Sequence, residues 1–229
     1  MVTPYDWQEA IGHRAQFIES RISTGVPVVA VSLDEGILVC TFRRQTRKIF
    51  EIYDCLMYAG IGQQSDVESL RVAAIDFAHR EGYQRSEQDV TIQRVVTSLS
   101  QPIKEAFANF STAPWVGKAL FMEVAESFRH DRYYTIDYDG DYTNVHHYCC
   151  IAGDRDTEDK IVSEVKAISL KGKTTKDLLP ALEKIVKAAI HDGAEGGEDS
   201  RSQLSFEAAL LSRKKAGDRR FQMLTKGKH

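Results

Sequence analysis

The chain reads as an α+β fold, and two observations carry that reading. Its strands come in blocks: four between residues 26 and 61, three between 118 and 153, and two near the C-terminal end. Its helices come in pairs between those blocks, with one more helix in front. Strand blocks followed by helix blocks predict sheets with helices gathered on their outer faces, not the strict alternation of a parallel sheet.

Each element has a local signal. Thr3-Pro4 followed by Asp6 and Glu9 opens a helix that runs to about Ser23. Trp7, Ala10, Ile11, Ala15, Phe17, Ile18 and Ile22 give it a broad apolar stripe, and Thr24-Gly25 ends it. VPVVAVSL and ILVCTF flank Asp34-Glu35-Gly36 and predict a hairpin. Lys48–Asp54 and Leu56–Ile61 read as a second strand pair. Ser65 and Glu68 form a capping box for a helix ending near Gly82. Asp89 is placed to cap the next helix, and Pro102 within it predicts a kink or an early break. KALFMEVAES, RYYTIDYD and NVHHYCCIAG then read as three strands, with a type I′-like turn at Asp139-Gly140. Helices over 157–168 and 175–191, a polar glycine-rich loop, and the strands LSFEAALLSR and RRFQML complete the chain. No repeat or linker interrupts it, which predicts one domain over 1–229: a front helix 1–24, a body 26–215, and a strand and tail 216–229.

Bulk properties narrow the function. The 229 residues are 42% hydrophobic and 28% charged, with a net charge of −3. That balance argues against a general nucleic-acid or anionic-membrane binder. No apolar run approaches the ~20 residues that a membrane span needs. The N-terminal stretch MVTPYDWQEAIGHR carries acids and lacks an apolar core, so it does not read as a signal peptide. Cys40, Cys55, Cys149 and Cys150 all lie in apolar runs, as buried free thiols do. The expected compartment is therefore the reducing cytoplasm.

Several motifs read as structure rather than chemistry. His146-His147-Tyr148-Cys149-Cys150 offers two ligands to each face of a strand, with no second pair at zinc spacing, so no metal is expected. Asp137–Asp141 lacks the later glutamate of a calcium loop and reads as a turn. Gly60-Ile61-Gly62 lacks the third glycine and Lys-Ser pair of a phosphate cradle, and no G-x-S-x-G occurs, so no cofactor is expected.

KIFEIYD, then YAGIGQQSDVESLRVAAIDFAHREGYQRSEQDVT, resembles a block of α-type proteasome subunits, most of all the actinobacterial kind. The front helix sits where such subunits carry an extra helix that the peptidase-type β subunits lack. The resemblance covers about residues 4–215 and implies a four-layer α-β-β-α sandwich. One departure stands at Ala113-Pro114-Trp115-Val116-Gly117, which lacks the arginine of the family's Arg-Pro-aromatic-Gly loop.

The resemblance also implies what the chain does not do. Peptidases of this fold use an N-terminal threonine whose amine is the general base. Here that position falls near Val26 or Pro27, and the acid position near Phe42. Lys48 stands where the active-site lysine would be, but one member of a cooperating set gives little rate. The implied role is a non-catalytic subunit of a heptameric ring, seated on β-type subunits and gating the entry of substrate polypeptides. Lys48 would receive the C-terminal carboxylate of an ATPase or other activator tail, with Arg43, Arg44 and Arg47 around it. Trp7, Arg14, Arg21 and Trp115 are the candidate ring-contact and gate residues. Two rival readings remain at this point: a hydrolase activated by autolysis at Ser23, Thr24 or Ser32, and an α+β binding domain that forms no ring.

Overall fold

The structure, a computed structural model, describes residues 4–193, 204–214 and 220–224. The glycine-rich loop and the tail fall outside these residues. α1 (Pro4–Ile22) leads into β1 (Val28–Leu33), β2 (Gly36–Arg43), β3 (Ile49–Tyr53) and β4 (Leu56–Gly62). The helices α2 (Gln64–Gln84) and α3 (Ile92–Ala108) follow. β5 (Gly117–Glu123), β6 (Arg132–Ile136), β7 (Tyr142–Val145) and β8 (Tyr148–Ile151) precede α4 (Arg155–Ala167) and α5 (Thr175–Gly193). β9 (Ser205–Ser212) and β10 (Phe221–Met223) come last.

Two antiparallel five-stranded sheets result, ordered β10-β9-β2-β1-β8 and β3-β4-β5-β6-β7. Both faces of the central strands are buried, so β1 is apolar or buried at every position. Val28, Ala30, Val39, Met57, Leu120 and Leu211 meet in the core between the sheets. α4 and α5 cover one outer face through Ile161, Val165, Leu182 and Val186. α2 and α3 cover the other through Leu70, Ala74, Val95 and Leu99. The layers are therefore helix, sheet, sheet, helix, with α1 added at one end.

Several local expectations need correction. The Ser65/Glu68 capping box does not form, because Glu68 pairs with Arg71 and α2 starts without a side-chain cap. Asp89 ends a short turn and binds Ser86, while Thr91 precedes α3 and the Glu123 carboxylate accepts the Ile92 N–H. α3 continues past Pro102 to Ala108 instead of breaking. Asp139-Gly140 is not a type I′ turn: only Gly140 has positive φ (83°), and its N–H donates to the Asp137 carbonyl. That is a three-residue hairpin loop with a left-handed glycine. NVHHYCCI is not one strand. The chain leaves β7 in one sheet, takes φ 73° at His147, and enters β8 in the other. Cys149 then faces the inter-sheet core and Cys150 the α4–α5 layer. Cys55 is only half-buried, in the β3–β4 turn, where its thiol donates to Asp54.

Candidate functional site at one end of the sandwich

β1 begins, β2 ends, and β3 and β9 begin at the same end of the sandwich. α1 runs in beside them, and a groove of about 1160 Å³ opens there, lined by Arg21, Val26, Arg44, Arg47, Lys48 and Gly60 among others. The Lys48 ammonium donates to the Val26 carbonyl at 3.2 Å. Burial pulls its pKa down to about 8, the Glu207 carboxylate acts against that fall, and Arg44 adds to it.

Glu207 was not singled out from the sequence. It sits on β9 opposite Thr41 of β2 and points between the sheets, its side chain fully buried. It accepts the Lys48 N–H at 3.1 Å and the Ile49 N–H at 3.2 Å. The Arg43 and Arg47 guanidinium groups stand 3.6 Å and 3.9 Å from its oxygens. Burial pushes its pKa above the usual carboxylate value, while the two backbone N–H bonds and the arginines act in the opposite sense. The one available signal was a glutamate inside the apolar run LSFEAALLS, because a carboxylate in a buried strand needs a partner.

Thr24, one of the three autolysis candidates, is exposed and lines the groove, while the expected nucleophile position falls at Val26 or Pro27. Val26 packs against the α4–α5 core with its carbonyl accepting from Lys48, and Pro27 is buried with its carbonyl accepting from the Thr41 hydroxyl at 2.7 Å. Phe42, where the acid was expected, packs with Phe206 against the α4–α5 layer at a ring separation of 5.2 Å. The inter-sheet residue at this level is Thr41. Ser32 lies mid-strand, buried and hydrogen-bonded to the Tyr133 hydroxyl at 2.7 Å. The Ser23 hydroxyl is spent on the Ser20 carbonyl. No cluster of three or more metal-ligating side chains occurs among the described residues.

The remaining candidates separate. α1 packs inward through Ile18 and Ile22 against Val116, Phe107 and Tyr138. Its other side leaves Trp7 50% and Phe17 54% exposed. Arg21 stacks on Phe17 at 6.0 Å and lines the groove. Arg14 points into its own chain: its guanidinium donates to the carbonyls of Ala106, Asn109 and Thr112 at 2.7–3.2 Å, at the C-terminal end of α3. Trp115 is a core residue. It is buried beside Tyr58 and Leu70, and its indole N–H donates to the Asp66 carbonyl at 2.9 Å, so it offers no face to a neighbour.

A family model described as "Proteasome subunit" matches residues 22–200. Among curated relatives, a "Proteasome subunit alpha" of Jonesia denitrificans is 28% identical over 222 residues, spanning 95% of this chain and 91% of that protein. One from Thermobifida fusca is 26% identical and spans 90% of this chain and 80% of its own length. One from Nocardioides sp. is 26% identical and spans 95% and 83%. With the family model over most of its length and α-type relatives across nearly all of it, the chain belongs to the proteasome subunit family as a non-catalytic, α-type member of the core particle.

Proposed function

We propose that copies of this chain form the heptameric outer ring of a 20S core particle in the cytoplasm, seated on rings of β-type subunits. The ring limits the entry of substrate polypeptides and docks the C-terminal tails of an ATPase or other activator. Lys48 carries this reading: its ammonium stands in an open groove whose other charged lining residues, Arg21, Arg44 and Arg47, share its sign. Such a site suits a lone carboxylate presented at a chain end. The half-exposed Trp7 and Phe17 of α1 support the ring, because large apolar side chains left open on a helix suit cover by another chain.

The test combines native mass with tail binding. Purified protein, alone or with its β-type partner, is expected as a seven- or fourteen-copy species of full-length 25.8 kDa subunits. A peptide with the C-terminal sequence of a proteasomal ATPase should bind that species, its C-terminally amidated form should not, and Lys48→Ala should abolish binding without changing the ring. A persistent monomer in the presence of β-type subunits overturns the ring. Equal binding to the Lys48→Ala form overturns the docking role.

A further inference from the structure

We infer that Glu207 is the positioning residue of the Lys48 groove: from β9 in one sheet it fixes the start of β3 in the other and holds the lysine in its charged form. The inference rests on the docking role proposed above and adds what makes that role possible.

Packing alone does not account for the residue. An apolar side chain would fill the same place between Ala208 and the inter-sheet core, and burying a carboxylate is costly unless it is matched. Glu207 is matched by groups in the groove wall or next to it. Its oxygens take the backbone N–H groups of Lys48 and Ile49, which sets where the lysine side chain leaves β3. Arg43 at the end of β2 and Arg47 in the β2–β3 loop flank it. Arg21 from α1 and Arg44 and Arg47 from the β2–β3 loop line the groove with Lys48, Glu207 and Arg44 act on its charge in opposite senses, and Arg43 at the end of β2 pairs with Glu207. The four arginines are cations, and Glu207 supplies the counter-charge. Val26 contributes only a neutral carbonyl. Removing the carboxylate leaves a half-buried lysine among arginines, and both burial and like charge then favour the neutral amine. A neutral amine has no Coulombic attraction for a tail carboxylate.

Glu207→Gln keeps an amide oxygen for the backbone N–H groups and removes the charge. The direct measurement is competitive labelling of the assembled protein with acetic anhydride across a pH series, read by mass spectrometry of the Lys48 peptide. The wild type should show a midpoint near 8. The Gln variant should titrate at least half a unit lower, which makes Lys48 about threefold more reactive near neutral pH. Equal midpoints in the two folded proteins overturn the proposal. If the Gln form does not fold, Glu207→Asp serves instead. It withdraws the charge by one methylene, so its midpoint should shift the same way by less, and an unmoved midpoint is again fatal. Tail-peptide binding is measured alongside. The Gln variant should bind nearly as the wild type does at pH 6.5 and at least about twofold more weakly at pH 8. A merely structural role predicts weakening at both. The labelling needs no activator: a midpoint shift without any wild-type peptide binding would sink the docking role and leave this one standing, while peptide binding without a shift would do the reverse.

Discussion

The charge on Lys48 is conditional in a way that an exposed lysine's is not. Its pKa is lowered to about 8, so the folded protein releases this proton well before the unfolded chain does. Docking of a carboxylate needs the ammonium, and that form is lost as pH rises through about 8. Between pH 7 and pH 9 the charged fraction falls from about 90% to about 10%, so tail-peptide affinity should drop about tenfold across that window. A lysine titrating near its ordinary value would hold its affinity unchanged, and fluorescence anisotropy at the two pH values separates the cases. The sign for stability runs the other way. Below pH 8 the buried charge costs the fold stability, and above it the unfolded state keeps a proton that the folded state has given up, so this cost is relieved as pH rises towards the unfolded value. The position of Lys48 at the start of β3 was legible in the sequence through the KIFEIYD run. Its partner was not, because Glu207 is 159 residues away and only the pairing of β9 beside β2 brings it to β3.

At the scale of elements, the helices and strands were legible because each had a periodic apolar pattern and a punctuating residue. The failures occurred where another contact or a change of sheet left no local signal. Ser65 and Glu68 have capping-box spacing, but Arg71 one turn on takes the glutamate. The crossover at His146-His147 carries no glycine or proline, so the sequence shows an unbroken strand where the chain changes sheets. Arg14, a ring-contact candidate by sequence, ties α1 to the C-terminal end of α3, where a cation also complements the helix dipole. Tyr138 adds a second tie by donating to Glu19 at 2.7 Å. Arg14→Ala removes three hydrogen bonds from a charged donor. Since the site is partly exposed, the cost should be about 1–2 kcal/mol. The loss should be local: hydrogen exchange should speed up across Pro4–Ile22 and the end of α3 while the central strands keep their protection. Uniform loss of protection would mean that α1 unfolds only with the whole molecule.

The whole molecule is a sandwich fastened at both ends of one strand. Glu207 near the start of β9 holds β3, and Arg213 just past its end holds Asp131 ahead of β6 through bonds of 2.7 Å and 2.8 Å, so both ties cross between the sheets. α1 stands outside this frame, with Ile18 and Ile22 anchored and its aromatic side uncovered. A helix seated this way adds little to the stability of its own subunit through Trp7 and Phe17, which is the arrangement expected if a second copy covers them. Truncating both to alanine should then leave the melting temperature of the isolated subunit nearly unchanged. Each aromatic contributes about 1.5–3 kcal/mol when buried, so each subunit contact should weaken by about 3 kcal/mol, roughly a hundredfold. Native mass spectrometry should show the double variant as monomers and small oligomers at concentrations where the wild type is a closed ring. An intact ring from the double variant would move the subunit contact away from α1. A matching fall in melting temperature would instead assign the two aromatics to the fold of the single chain.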